Sequence, residues 1–598
     1  MHGAHRKTCS WLALGAALLV LAVAAPLAAA AGAELRAAPL SAAFVRYQAE
    51  LKLRRTLGLD RVPGFRPGLI PAPMDPPASS GARLGAARAS YPPSFDLRDR
   101  GKVSPVKDQR PYGTCWAFAA LGSLESRLLP GELRDLSEDN IALNDGFDNG
   151  GDPYDRGGNY NMSAAYLIRW SGPVDESADA YGDSFTPPGL TATKHVQEVL
   201  YIPGGTSASD TANIKYALTT YGAVATTIHW DDSCYAAAAA AGYYYHGAGV
   251  ANHAVTIVGW DDGFAASNFV FPPPDAGAWL VKNSWGADWG QSGYFWASYY
   301  DPYCGTDAGF NVVFNRVEPT SSYGDIYSYD PLGQTGALRL TSNTMWGANV
   351  FTARQTASVA AVGFFTPSPN TTYAVYAGAS LQSLQQKGSA SIEIPGYHTV
   401  ALSSPLSVTG GGDFVVAVRL TSPDDTYPLA IEQAEPDYSS AATASPGQSY
   451  TSFDGDNWSD LTDWDSTANV CLKAYTTGSA PTPTPTPTPS QTPPPHEDTV
   501  GPVCAAKSVT VERGKTCKLF FRVYDDHSAE VTKHLSVTTK TGVVKLGRSW
   551  ERDRNLVGWW SIKYACRLPR GAYRIVVTGE DLAGNRQSVV GRATLKVK

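Results

Sequence analysis

The sequence predicts an α+β two-lobed unit over residues 91–319 and an all-β sandwich over 320–477. After a Pro/Thr-rich linker at 478–498, it predicts a small Ig-like β-sandwich over 499–598. Three observations carry this. Helical patterning precedes strand patterning in the first unit, which points to two lobes with a cleft between them. Short alternating segments divided by Gly and Pro clusters fill the second and third. The Pro/Thr tract at 481–495 should be extended polyproline II, at roughly 3.1 Å per residue, and so a stiff spacer.

Taken in order, residues 1–31 read as a secretory signal. Arg6 and Lys7 supply the positive start, 11–25 the apolar run, and Ala28 to Ala31 the small-residue cleavage site. The competing reading is an uncleaved anchor, but the run is short against the ~20 residues of a spanning helix. No second apolar run long enough to span follows, so the mature chain is expected to lack a transmembrane anchor and to be secreted or attached to the cell surface. Residues 32–90 are rich in Pro, Ala and Arg. Phe44, Tyr47 and Leu51 recur at helical spacing before Gly/Pro signals take over, which suits a pro-segment or N-terminal extension. A helix should start at Cys115 and stop before Pro130-Gly131, and Leu136-Ser137-Glu138 opens another. Strand patterns follow at 224–228, 253–260, 279–283 and 294–297. The second unit alternates at 374–376, 414–418 and 427–431, and the third at 508–511, 518–524, 561–565, 573–578 and 594–597.

A chain of 598 residues exceeds one hydrophobic core, and only 17% of it is charged. The net charge is −7, yet residues 499–598 hold 19 Lys and Arg against 8 Asp and Glu, or +11, leaving about −18 on the remainder. That basic module is either a solvated face or one drawn to an anionic cell-envelope polymer. Nucleic acid is not an expected partner of an exported chain. Eight cysteines are present and Cys9 leaves with the signal. Of the seven left, Cys115 is the candidate free thiol. Cys234 and Cys304 are candidates to pair, and Cys504, Cys517 and Cys566 could supply one bridge.

Chemistry concentrates around Cys115. It stands where the Gly/Pro-punctuated loop Asp108-Gln109-Arg110-Pro111-Tyr112-Gly113-Thr114 turns into an apolar helix. Free N–H groups and the positive dipole end at a helix N-terminus stabilise a thiolate, the nucleophilic form. Gln109, six residues upstream, offers an amide donor to the same point. Among the histidines, His253 opens the apolar strand Asn252-His253-Ala254-Val255, which would hold the ring rigidly as a base. Asn283, in Lys282-Asn283-Ser284-Trp285-Gly286, can accept from one imidazole nitrogen and fix the tautomer, and Trp285 can shield that bond from water.

With these residues in this order, the chain resembles the papain-like cysteine peptidases over about residues 91–314. The likeness rests on Gln109, Gly113 through Ala119, Leu136-Ser137-Glu138, Asn252 through Val255 and Lys282 through Gly286, with the approach segments 95–98 and 103–109. The 138 residues from Cys115 to His253 fall in the family's about 130–150 range. The resemblance implies Cys115 as nucleophile, His253 as general base and acid, Asn283 orienting it, and the Gln109 side chain with the Cys115 N–H as oxyanion donors. It implies no metal and no organic cofactor. Gly157-Gly158-Asn159-Tyr160 resembles the Gly-rich wall that pairs with substrate backbone, with the register open by one residue. Tyr112 stands where the family usually has a cysteine, and Asn144 near that cysteine's partner, so packing or another bridge must hold this region. Thr114 replaces Ser or Ala, and residues 263–277, with three consecutive prolines at 272–274, look like an insertion. Residues 32–90 show no recognisable inhibitory motif of the animal and plant enzymes. The second unit resembles the lectin-like domain that follows such peptidases in exported bacterial and archaeal proteins, through residues 346–353, 396–400 and 469–474.

The expected function is therefore a secreted cysteine endopeptidase acting on protein or peptide substrates. Its β modules would target it to a cell-envelope polymer or glycan. The alternative is an envelope or host-glycan adhesin whose peptidase unit is secondary or inactive. Transpeptidation or amide hydrolysis of cell-wall peptides would use the same residues.

Overall fold

The computed structural model describes residues 35–56, 68–75, 84, 90–148, 152–205, 207, 210–237, 240–340, 342–423, 427–478, 503–524, 530–540, 543–554, 560–580 and 591–598. The expected signal at 1–31 and the Pro/Thr tract at 481–495 lie outside the described residues. The chain forms two compact units, 1–481 and 482–598. Among the described residues no helix is long and apolar enough to cross a membrane.

The helix Cys115–Leu128 is the axis of the first unit. Its sequence, CWAFAALGSLESRL, is apolar nearly all round, and twelve of its residues are buried. It packs against the strands His253–Asp261 and Val312–Glu318. Gly122 allows this approach, since a Cβ there would stand 3.3 Å from Thr256 Oγ1. The helix ends as expected: Leu129 turns extended before Pro130 while its N–H still bonds Glu125 O. The helices Glu138–Asn144 and Tyr160–Ile168 complete this lobe. Ser137 caps the first by accepting from Asn140 N, and Asn159 caps the second by accepting from the N–H groups of Asn161 and Met162. The strands Val224–Ile228, His253–Asp261, Ala278–Lys282 and Tyr294–Ser298 form the facing antiparallel lobe.

The sequence separates this unit from the following sandwich; hydrogen bonding joins them. Strand Gly396–Val408 of the sandwich pairs with His195–Tyr201 through Gly396↔Leu200, Tyr397↔Val199 and His398↔Glu198. One sheet thus runs from the peptidase lobe into the sandwich. A second, six-stranded sheet faces it, and Met345, Val359, Phe364, Val416 and Leu472 fill the space between. Inside this module Lys473 Nζ meets Asp330 Oδ2 at 2.5 Å, with both side chains fully buried. Removing one partner strands the other charge. Lys473→Ala is accordingly expected to destabilise the first unit by about 3–5 kcal/mol, read as a lowered denaturant midpoint.

The described residues of the N-terminal extension include regular elements. Strand Arg36–Ala37 adds to Gly336–Arg339 of the sandwich. Helix Ala42–Thr56 buries Phe44 edge-on against Tyr438, with ring centroids 5.3 Å apart.

The expected cross-links do not form. All seven described cysteines carry free thiols. Cys234 and Cys304 instead fill space in one apolar cluster, and Cys504, Cys517 and Cys566 pack in or against another, behaving as small hydrophobic side chains. The missing Tyr112–Asn144 bridge is replaced by aromatic packing. Tyr112 meets Tyr154 edge-on at 4.7 Å, and Tyr181 packs on Phe118 at 4.9 Å. Asn144 Nδ2 donates to Asn140 O and Thr186 Oγ1, both at 2.8 Å.

The second unit is a two-sheet β structure. Val503–Ala506, Thr516–Tyr524 and Trp560–Ala565 form one sheet. The other contains Val509–Val511, Gly591–Val597, Gly571–Glu580, Glu530–Thr538 and Val544–Arg554. Leu519, Phe521 and Val523 from the first meet Leu535, Ile575, Val577 and Leu595 from the second in a single core.

Candidate active site

Cys115 is the first residue of the central helix and is fully buried. Its Sγ accepts from Ala254 N–H at 3.4 Å, so the strand that begins at His253 abuts the sulfur. His253 Nε2 stands 2.9 Å from Asn283 Oδ1, an atom that also accepts from Ser284 N–H at 2.9 Å. A carbonyl oxygen can only accept, so Nε2 carries the proton and Nδ1 of the neutral ring keeps its lone pair. Nδ1 is buried and has no hydrogen-bond partner among the described residues. Trp285 stacks on the imidazole, centroids 4.7 Å apart and planes 24° off parallel, and covers the His–Asn bond. Trp230 and Trp289 buttress Trp285 edge-on at 4.7 and 4.9 Å.

Gln109 is fixed at both ends of its amide. Nε2 donates to Tyr112 O at 2.7 Å, and Oε1 accepts from Ser284 Oγ at 2.6 Å. Its backbone N–H donates to Ser284 O at 2.8 Å, tying the loop before Cys115 to the turn after Asn283. Thr114 belongs to this frame: its hydroxyl bonds the Tyr181 hydroxyl at 2.5 Å, and Tyr181 donates to Gln109 O at 3.0 Å. Behind these residues lies a buried ionic group. Lys107 Nζ holds Glu125 at 3.1 Å and Glu138 at 2.9 Å. Lys282 Nζ donates to Ser104 Oγ at 2.9 Å, which donates to Glu125 at 2.5 Å. Lys107 precedes Gln109 by two residues and Lys282 adjoins Asn283, so this network anchors both.

Gly157 and Gly158 line the path of residues 68–70, and it is Gly158 that pairs with their backbone. Gly158 N donates to Gly68 O at 2.9 Å, and Ile70 N donates to Gly158 O at 3.0 Å. Neither position has room for a side chain. A Cβ on Gly158 would meet Trp116 at 2.3 Å, and Gly157, at φ +73°, faces Gly68 O at 2.7 Å.

Residues 68–70, which the sequence analysis did not place at the site, occupy this cleft. Gly68 N–H points at Cys115 Sγ at 3.2 Å, and Leu69 N donates to Asn252 O at 3.1 Å. The sulfur therefore accepts a hydrogen bond from the backbone of this segment. Gly68 is required by contact, because a Cβ there would lie 1.9 Å from Gly113 O. A glycine between Pro67 and Pro71 was the available hint of an extended segment passing close to another backbone.

This cover changes the electrostatics. Burial pushes the Cys115 thiol up to about 11, opposed by the N–H groups of Ala254, Gly68, Trp116 and Cys115. Burial also holds the His253 imidazole down at about 4, against the Asn283 hydrogen bond. In the covered cleft both shifts favour the uncharged forms, a thiol and a neutral imidazole.

Residues 91–312 match the papain family cysteine protease, and residues 326–476 match the lectin-like domain. The chain carries a papain family cysteine protease domain and, after it, a lectin-like domain. Cysteine proteinase 15A of Pisum sativum is 30% identical over 234 residues, covering 38% of this chain and 62% of that protein. A cathepsin L-like peptidase of Aedes aegypti is 32% identical over 242 residues, covering 38% and 66%. The chain spans 62%, 44% and 57% of the length of three curated relatives: the pea enzyme, cysteine proteinase 2 of Leishmania pifanoi and a viral cathepsin of a Spodoptera litura nucleopolyhedrovirus. Among solved structures, the cysteine protease and lectin-like domains of Cwp84, a surface layer associated protein of Clostridium difficile, share the fold. The TM-score is 0.62 at 24% identity, over 74% of this chain and 98% of that one. The clostridial cysteine protease Cwp84 after propeptide cleavage gives 0.57 at 26% identity, over 64% and 99%.

Proposed function

We propose that this papain family domain is a cysteine endopeptidase that works outside the cell and is synthesised with its cleft closed by its own N-terminal segment. The observation that carries the reading is the arrangement around Cys115 Sγ: a helix N-terminus, the Ala254 N–H, and a His253 whose Nε2 is held by Asn283. Cys115 attacks a peptide carbonyl carbon. The proton of its thiol passes to His253 Nδ1, and from there to the leaving amine as the C–N bond breaks, giving a thioester. Water, deprotonated by His253, then hydrolyses the thioester and restores the thiol. The Cys115 N–H and Gln109 Nε2 bind the oxyanion of each tetrahedral intermediate. Asn283 keeps the productive tautomer, Trp285 keeps water off the His–Asn bond, and Gly158 takes the substrate backbone, with Gly157 leaving space beside it.

Residues 32–90 act as a pro-segment, residues 91–319 as the peptidase and residues 320–477 as a lectin-like module. Residues 478–498 are a spacer, and residues 499–598 are an Ig-like module. A glycan-docking role for the lectin-like module is supported by the outer side of its six-stranded sheet. There Trp346 lies 4.7 Å from Tyr376, and the Arg419 guanidinium is 5.6 Å from the Trp346 ring. The test of the peptidase reading is hydrolysis of denatured casein after removal of residues 32–90. The wild-type chain is expected to cleave it and Cys115→Ala not to; equal cleavage by both would end the proposal.

A further inference from the structure

Residues 499–598 carry 19 of the chain's 48 Lys and Arg against only 8 Asp and Glu, and the peptidase chemistry makes no use of that excess. The register of this unit's five-stranded sheet places part of that charge. Along Gly591–Val597, Arg592, Thr594 and Lys596 point outward and are exposed, while Leu595 and Val597 point into the core. On the neighbouring strand Gly571–Glu580, exposed Arg574 sits opposite Thr594, Val576 opposite Arg592 and Ala572 opposite Lys596. Arg574 is thus the diagonal neighbour of both other cations, at the ~7–8 Å typical of such pairs. Arg592 and Lys596 are four residues apart, or about 14 Å along the strand. On the next strand Ser536 lies opposite Val576 and donates to its carbonyl at 3.4 Å, while Thr538, opposite Arg574, is buried.

Among the described residues, the acids of these strands stand at the margins of this face. Glu580 is six residues along the strand from Arg574, and Glu512 follows strand Val509–Val511 next to Lys598. None of the three cations pairs with an acid among the described residues. An independent feature has the same sign. On the other sheet Lys518 and Lys563 are directly opposed across two strands, both exposed. Like charges in that position repel, so the module tolerates self-repulsion that a polyanion would relieve.

We propose that the face built by Arg574, Arg592 and Lys596 docks a phosphate-bearing anionic polymer of the cell envelope. This rests on the reading that the protein works outside the cell. Guanidinium groups take phosphate oxygens in bidentate fashion, Lys596 adds a point charge, and the exposed Thr594 hydroxyl supplies a neutral donor between them. Among the described residues no Phe, Tyr or Trp lies exposed beside Arg574, Arg592 and Lys596 to stack a base, which favours a polymer read through its phosphates over single-stranded nucleic acid.

The test is retention of the full-length chain on immobilised poly(glycerol phosphate) at graded salt, and separately on single-stranded DNA of equal phosphate number. R574Q/R592Q/K596Q is expected to lower affinity for the poly(glycerol phosphate) at least tenfold. It should also flatten the slope of log affinity against log salt by about two, the counterion release of three phosphate contacts. K518Q/K563Q, which removes charge from the other sheet, is expected to change affinity less than threefold. R574K/R592K keeps the charge but not the bidentate contacts and should retain the salt slope while losing less affinity than the triple variant, which separates docking from misfolding. Failure of the wild-type chain to bind would overturn the proposal. So would equal losses per charge in the triple and double variants, or tighter binding to the DNA. None of these outcomes depends on peptidase activity, so each is distinguishable from failure of the peptidase reading.

Discussion

Removing residues 32–90 is expected to raise the alkylation rate of Cys115 by iodoacetamide at pH 7 more than a hundredfold. With the segment in place the sulfur is fully buried under Gly68, and its thiol is pushed up to about 11, so below that pH the nucleophilic thiolate is scarce. Release hydrates the cleft, which lowers the thiol and raises the His253 imidazole from about 4, bringing the two toward an ion pair. A single substitution reaches the same end without cutting the chain. Gly68→Ala places a Cβ 1.9 Å from Gly113 O, a contact between backbones that cannot relax by turning a side chain, so the segment must lift. The intact Gly68→Ala chain should alkylate at least tenfold faster than the parent. Rates equal to the parent's, for both the variant and the released chain, would show that residues 68–70 do not guard the sulfur.

In the released enzyme, His253→Ala should lower kcat/KM by on the order of 10⁴-fold or more, because nucleophile and base act as a unit. Gln109→Ala should cost about a hundredfold in kcat, the usual loss for one oxyanion donor, with little change in KM. Asn283→Ala should cost less than His253→Ala, since it frees the tautomer without removing the base. The parent should show a bell-shaped rate–pH profile belonging to the Cys115–His253 pair as a whole. A Gln109→Ala loss confined to KM would move that residue from the oxyanion to ground-state binding.

Much of the site is legible in the chain because its parts are local. Cys115 announces itself at a loop-to-helix junction, His253 at the start of an apolar strand, and Asn283 and Trp285 in a Gly-rich turn. Their spacing ties them together. What the sequence hides depends on distant backbone. Gly68 reads as one glycine in a Pro/Ala/Arg-rich stretch, and only the fold shows it crossing Gly113 and Cys115. The pairing of Gly396–Val408 with His195–Tyr201 joins two runs that pattern as separate units. The cysteine count suggested bridges, and apolar packing took their place. Ser284, which orients Gln109, looks in the sequence like any turn serine.

The most direct test of the account is labelling of the released chain with an epoxysuccinyl probe that reacts with activated cysteine-protease thiols. We predict one probe per chain, bound at Cys115, absent in Cys115→Ala and strongly reduced in His253→Ala. Labelling that survives Cys115→Ala, or a released wild-type chain that does not label at all, would contradict the account.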